Sequence, residues 1–143
     1  MDNKSIQYLL NEPAIRYKTS SSRMELVELS RKGIRKDVLD KLADTLGVSM
    51  KQFAQLLPVT ERTLQRREPS SLLNRSISEH AILIAEILAL GLNVFGDEEK
   101  LQRWMHDSNI GLGGHTPFSL LDTAIGAELV KDELNRMDYG VHS

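Results

Sequence analysis

The feature that most constrains the fold of this 143-residue chain is a pair of short helical patterns at residues 49–67. Ser49 and Thr60 are favoured N-cap residues, and each precedes a short run with apolar residues at helical spacing. Five apolar or small side chains are placed to pack the two helices together: Phe53, Ala54, Leu57, Val59 and Leu64. Two short helices joined by a tight turn, the second of them basic, are typical of a helix-turn-helix.

The second helix of this pattern carries side chains suited to DNA. In a helix-turn-helix, residues at the start of the second helix meet base edges and phosphates in the major groove. Arginine and glutamine can make bidentate contacts to guanine and adenine, whereas threonine can contact a thymine methyl group. Lys51, Gln52 and Arg67 are better placed for the sugar-phosphate backbone. The predicted DNA-binding residues are Lys51, Gln52, Thr60, Glu61, Arg62, Thr63, Gln65, Arg66 and Arg67.

The turn between the two helices departs from the usual pattern. Pro58 stands where the turn commonly has a glycine with positive φ. Proline fixes φ near about −65°, so we expect a turn that differs in detail. Two alternatives therefore stay open: a plain helical hairpin with a solvated basic face, and a degenerate helix-turn-helix that only holds a dimer together.

Helix signals extend along the rest of the chain, and alternating strand patterns are missing. The segment from Glu68 to Ser76 is the best boundary, since Pro69 disfavours helix before it. We predict an all-α fold, with residues 1–68 as an N-terminal helix-turn-helix region and residues 76–143 as a C-terminal helical domain. The predicted caps and helix ends are Ser22 with Glu25, Gly33, Gly47, Ser76 with Glu79, Gly96, Asp97, and Thr116 with Pro117. Gly126 marks a joint or a close packing contact, and Ala127 to Met137 is helical.

Charge divides along the chain. Residues 31–68 carry a formal net charge of +4, and residues 69–143 carry −6. A basic block followed by an acidic one suggests two surfaces with different partners, although both could be solvated faces.

Several functions are disfavoured by what the sequence lacks. The chain has no cysteine, which suits a reducing cytoplasm. We expect no signal peptide and no membrane span, since the apolar stretch at residues 81–95 is shorter than the roughly 20 residues a span needs. The loop Gly111–His115 lacks the Gly-Lys-Ser/Thr ending of a phosphate-binding loop, and the four histidines do not form a metal-binding or acid-base pattern. We expect no catalytic residues, cofactor, metal or small-molecule substrate.

Three C-terminal segments resemble a known family of antitoxins: residues 94–105, residues 112–121, and Tyr139-Gly-Val141. They are similar to the C-terminal domain of Xre/MbcA/ParS-type antitoxins, a family that also carries a preceding helix-turn-helix. The resemblance covers about residues 35–143.

The resemblance implies a type II antitoxin encoded beside a RES-domain toxin that degrades NAD. Such an antitoxin blocks the toxin active site through its C-terminal domain, dimerises, and represses its own operon by binding operator DNA. The implied toxin-binding residues are Tyr139, Gly140, Val141, His142 and Ser143. The implied scaffold residues are Trp104, Gly113, Gly114, Thr116 and Pro117, and His115 stands where the family has a basic residue, often arginine. The apolar helix from Ile77 to Phe95 is then a core helix and part of a homodimer contact.

Two rival functions stay open from the sequence. One is a stand-alone transcription regulator whose C-terminal domain only dimerises. The other is an enzyme that uses the glycine loop and His115.

Overall fold

The protein is described by a computed structural model that covers the backbone of residues 22–142 and the side chains of residues 23–138. The described residues form α-helices and two 3₁₀ helices, with no strand beyond an isolated bridge between Arg35 and Leu72. The predicted all-α fold is confirmed. The α-helices are α1 (Ser22–Lys32), α2 (Asp37–Leu46), α3 (Met50–Ala54), α4 (Glu61–Gln65), α5 (Arg75–Phe95), α6 (Glu98–His106) and α7 (Ala124–His142). The 3₁₀ helices are Ile110–Leu112 and Phe118–Leu120.

Helix α5 is the centre of the fold, because α1, α2, α6 and α7 all pack against it. Residues 84–91 are buried without interruption, so neighbours must cover the helix on every side. One hydrophobic core runs from Leu26 in α1 to Leu134 in α7. By length and composition alone α5 could cross a membrane, but 67% of its most apolar window is buried inside the chain, as in a core helix. Its buried carboxylate, Glu86, accepts a hydrogen bond from the Arg23 guanidinium of α1.

Most helix ends lie where the sequence predicts them. Gly33, Gly47 and Gly96 follow α1, α2 and α5 with φ of 100°, 71° and 87°. A left-handed residue of this kind ends a helix, and glycine adopts it without a steric penalty. Asp97 accepts a hydrogen bond from the Lys100 N–H at 2.8 Å and caps α6. These ends depend on local backbone chemistry, which explains why sequence patterns reveal them.

The start of α5 differs from the prediction. Asn74, and not Ser76, is the N-cap, since its side chain accepts a hydrogen bond from the Ile77 N–H at 2.9 Å. Asparagine is at least as good an N-cap as serine, and Asn74 has the extended backbone that the position requires. The predicted Ser76–Glu79 capping box is therefore wrong.

The C-terminal helices also differ in extent. Thr116 Oγ1 accepts a hydrogen bond from the Ser119 N–H at 3.2 Å, but the element that follows is the 3₁₀ helix Phe118–Leu120, with Pro117 as its N-cap. The α-helix predicted to begin at Pro117 is therefore wrong. The last α-helix begins at Ala124 and continues beyond Met137 to His142. The predicted helix at residues 127–137 is thus the middle of α7.

The segment between α4 and α5 is held against the start of α2. The backbone N–H groups of Lys36 and Asp37 donate to the carbonyls of Ser71 and Pro69, each at 2.9 Å. Leu73 donates in turn to the carbonyl of Ile34 at 2.8 Å. Residues 68–74 are therefore an ordered brace that joins the helix-turn-helix region to α5.

Candidate nucleic-acid interface and C-terminal surface

Local hydrogen bonds begin both helices of the predicted helix-turn-helix. Ser49 Oγ accepts a hydrogen bond from the Gln52 N–H at 3.2 Å, and Gln52 Oε1 accepts one from the Ser49 N–H at 3.0 Å. This reciprocal pair is a capping box at the start of α3. Thr60 Oγ1 accepts a hydrogen bond from the Thr63 N–H at 3.1 Å and begins α4. Both predicted caps are confirmed.

The side chains predicted to join α3 and α4 lie in the core. Phe53, Ala54, Leu57 and Leu64 are buried, and Val59 is partly buried against the same core. Burial of Ala54 at 3% exposure is consistent with a close approach of the two helices, where only a small side chain fits. The helices therefore have the packing that a helix-turn-helix requires.

Pro58 is accommodated by a tight turn of its own. The Val59 N–H donates to the Leu57 carbonyl at 2.8 Å, which closes a three-residue turn with Pro58 at its centre. In an inverse γ-turn the central residue has φ of about −75°, close to the value that proline imposes. This pattern of bonding explains how the turn is made without a positive-φ glycine at residue 58.

The predicted DNA-binding side chains lie on α3 and on or beside α4, and they are largely exposed. All of them are exposed except Glu61, which is partly buried. Among the residues that the structure describes, neither Arg62 nor Arg66 forms an ion pair. These two guanidinium groups, one on the second helix and one directly after it, are free to neutralise phosphates or to contact bases.

Other predicted residues have structural partners of their own. Gln52 Oε1 is engaged in the capping box, and the hydroxyls of Thr60 and Thr63 lie 2.8 Å apart within hydrogen-bonding distance of each other. Arg67 donates from Nη1 to the Leu72 carbonyl at 3.4 Å, so it also braces the segment that follows α4. These side chains therefore hold the local backbone in place and are also part of the exposed surface.

Lys36 extends the basic surface and was missed as a site residue. Its Nζ donates to the Arg67 carbonyl at 3.2 Å, which places a further ammonium beside the end of α4. The sequence shows Lys36 only as one charge in the basic block, because 31 residues separate it from Arg67. The sequence does not show that the start of α2 contacts the segment after α4, and the structure does.

The C-terminal residues predicted to bind a toxin belong to a helix. The backbone of residues 139–142 is the last turn of α7, so these residues are not a separate tail after the helix. The backbone of α7 continues as a helix through Gly140. The side chains of residues 139–142, and Ser143 as a whole, lie outside the described residues.

The predicted scaffold glycines lie in a closed loop, whereas Trp104 packs on the end of α5. Gly113 and Gly114 have φ of 69° and 85°, and the Asn109 carbonyl accepts hydrogen bonds from the N–H groups of Leu112 and Gly114. Trp104 packs on Phe95 with ring centroids 5.6 Å apart. The glycines therefore close a turn.

The described histidines have different positions and no common site. His80 Nε2 lies 2.6 Å from the Leu121 carbonyl, His106 Nε2 lies 2.9 Å from the Leu46 carbonyl, and His115 is exposed. Among the side chains of residues 23–138, no cluster of three or more potential ligands could hold a metal ion. His80 thus joins α5 to the end of the second 3₁₀ helix, and His106 joins α6 to the end of α2.

The fold and the site define a helix-turn-helix protein with an additional helical C-terminal domain. Residues 25–86 match the model of the antitoxin Xre-like helix-turn-helix domain. Residues 90–140 match the model of the antitoxin Xre/MbcA/ParS C-terminal toxin-binding domain.

Two proteins named antitoxin Xre are similar to most of this chain. One, from Yersinia enterocolitica, is 28% identical over 120 residues, which cover 82% of this chain and 81% of the relative. The other, from Photorhabdus laumondii, is 25% identical over 126 residues, which cover 87% and 85%. The chain belongs to the Xre/MbcA/ParS-type antitoxins, which are regulatory proteins of toxin–antitoxin systems and not enzymes. The predictions of an antitoxin and of a protein without catalytic activity are thereby confirmed.

Proposed function

We propose that this antitoxin binds and inhibits a RES-domain toxin that degrades NAD, and that it represses the shared operon by binding operator DNA. The observation that carries the proposal is the pair of matched domains, a helix-turn-helix followed by a toxin-binding domain. The choice of a RES-domain toxin rests on the resemblance of the three C-terminal segments. The antitoxin acts in the cytoplasm, where both operator and toxin are found.

Inhibition is steric in this proposal. The end of α7, residues 139–142, together with Ser143, occupies the entrance of the toxin active site. A helix that reaches His142 supports this role, because a helical end is already ordered and loses less conformational entropy on binding than a flexible tail. The antitoxin contributes no catalytic group and needs no cofactor.

Repression depends on the surface around α4. The free guanidinium groups of Arg62 and Arg66 read bases or hold phosphates in the major groove, and a homodimer places two such helices on the operator. Part of the dimer contact is proposed for the residues of α5 that are not buried within the chain.

Co-expression with the protein encoded next to this chain tests the proposal. Growth, cellular NAD and co-purification are scored for the full chain and for a chain that ends at Asp138. We expect the neighbour to deplete NAD and stop growth, the full chain to restore both, and the shortened chain to bind without full rescue. Rescue by both chains would move inhibition from the end of α7 to the helical domain. A harmless neighbour that does not co-purify would overturn the proposed target.

A further inference from the structure

Three large apolar side chains lie exposed in the C-terminal domain. Ile110 is 98% exposed, Ile125 is 76% exposed and Leu129 is 50% exposed. Ile125 and Leu129 are four residues apart on α7, so they lie on one face of the helix, one turn from each other. Water contact at such side chains is unfavourable, and adjoining exposed apolar residues are a mark of interaction sites.

The loop that carries Ile110 adjoins the same part of α7. Gly111 lies so close to Glu133 that a Cβ at residue 111 would come within 2.9 Å of the Glu133 carboxyl carbon. Glu133 is four residues after Leu129, and thus one helical turn further along the helix. Ile110 is thus joined through Gly111 to the helical row formed by Ile125, Leu129 and Glu133. We call the three apolar residues Ile110, Ile125 and Leu129 the α7 surface.

We propose that the α7 surface is the contact on which the toxin docks, separate from the end of α7. This inference rests on the proposed function. The three residues lie within residues 90–140, the part of the chain that matches a toxin-binding domain. They also lie on or against the helix whose last turn holds the predicted inhibitory residues, so one partner can cover both.

Charge favours a different protein over a second copy of this chain. Residues 122–138 carry five carboxylates and two cationic groups, and Glu128 and Asp132 are exposed beside Leu129. A two-fold contact of the α7 surface with itself would bring two surfaces of net negative charge together, which is unfavourable. The occupant is therefore a toxin surface with an apolar centre and a cationic border.

The distance along α7 separates docking from inhibition. From Leu129 to His142 the helix rises by about 20 Å, at about 1.5 Å for each residue. A toxin held at the α7 surface thus meets the helix end at a fixed distance. In this arrangement the α7 surface provides affinity for the toxin, and the end of α7 blocks the toxin active site.

Two substitutions in the full-length chain test the inference. Ile125→Asp lies in the first turn of α7, where a carboxylate is compatible with the helix dipole, and Ile110→Asp lies at the exposed first residue of a 3₁₀ helix. We expect each to weaken binding of the purified neighbouring toxin by about tenfold or more, measured by titration calorimetry. Met24→Asp is the matched control, because Met24 is 60% exposed on α1, outside residues 90–140. Its toxin affinity should be that of the unchanged chain.

Thermal unfolding and operator binding of each variant show that the chain is folded. If the unchanged chain binds toxin and both variants bind equally well, the inference is wrong while the proposed function stands. If the variants keep toxin affinity but lose a dimer on size-exclusion chromatography, the occupant is a second copy, which also overturns the inference. If the unchanged chain does not bind the toxin at all, the proposed function itself has failed.

Discussion

At the scale of single residues, packing closely constrains Gly126. It is buried near the start of α7, and a Cβ there would collide with the backbone carbonyl of Leu120. The obstacle is main chain, which cannot rotate aside as a flexible side chain can. The sequence predicts a joint or a close contact at this glycine, and the structure shows the close contact.

Gly126→Ala should therefore destabilise the protein. We expect a loss of about 1–3 kcal/mol in the free energy of unfolding, since an added methyl group must displace α7 or the turn at Leu120. Denaturant unfolding followed by circular dichroism measures this loss. Gly111→Ala is the control, because its added methyl would meet only the movable end of the Glu133 side chain. Equal stability of the two variants would show that the Leu120 contact relaxes without cost.

Residue-level predictions succeed where a hydrogen bond is local. Ser49, Thr60 and Asp97 cap their helices through N–H groups three residues ahead, so the sequence contains both partners. At the start of α5 the structure has Asn74 as the N-cap in place of the predicted Ser76. Ser78 Oγ, two residues later, accepts from the Ile34 N–H at 3.0 Å and donates to the Leu73 carbonyl at 3.1 Å. That contact with the segment after α1 involves residues 44 positions apart, and a local pattern cannot reveal it.

At the scale of helices, α6 caps the C-terminal end of α2. Gln102 Nε2 donates to the carbonyls of Asp44 and Thr45 at 3.3 and 3.1 Å, and His106 Nε2 lies 2.9 Å from the Leu46 carbonyl. The last carbonyls of a helix have no partner within it, so these side chains satisfy them. Helix α2, which directly precedes the helix-turn-helix, is thus held by α6 of the C-terminal domain.

Gln102→Ala should weaken this joint. Two hydrogen bonds are lost, and we expect the free energy of unfolding to fall by about 1–2 kcal/mol. Arg103→Ala provides the comparison, because Arg103 is 68% exposed and only pairs with Glu99 on the same helix. Its loss should be about 0.5 kcal/mol or less. Matched urea unfolding curves for the two variants would contradict a structural role for Gln102.

The sequence could not predict this joint. Gln102 and His106 are one turn apart on a helix with charged neighbours, which is the pattern of an ordinary solvated face. Their partners lie 57 to 60 residues earlier in the chain. The α7 surface was hidden for a related reason, since Ile125 and Leu129 are exposed while Val130 and Leu134 are buried on the same helix. Apolar residues on more than one face do not show which face meets the core.

At the scale of the whole molecule, opposite charges lie on two regions that share one core. The basic block includes α2, α3 and α4, whereas the acidic block includes α5, α6 and α7. The net charge of −2 conceals this division. The sequence reveals both the division and the family, because charge counts and family motifs need no knowledge of contacts.

Operator binding should depend on the basic region and on salt. Arg62→Ala and Arg66→Ala should each cost about 1–3 kcal/mol in operator affinity if the side chain reads a base, with a smaller salt slope if it holds a phosphate. Fluorescence anisotropy at several salt concentrations separates these cases. Arg103→Ala removes an exposed arginine of the acidic region and should leave operator affinity unchanged. Unchanged affinity in all three variants would favour a degenerate helix-turn-helix that serves only to hold a dimer.

Because α7 is continuous, its length fixes the distance and the orientation of its last turn relative to Ile125. One inserted residue between Leu134 and Asp138 would move the helix end by about 1.5 Å and turn it by about 100° relative to Ile125. A toxin that docks near Ile125 would then meet the wrong side of the final turn. With the proposed docking, a change in the length of α7 requires a matching change in the toxin. The choice of partner is then encoded in the number of residues in a helix as well as in their identity.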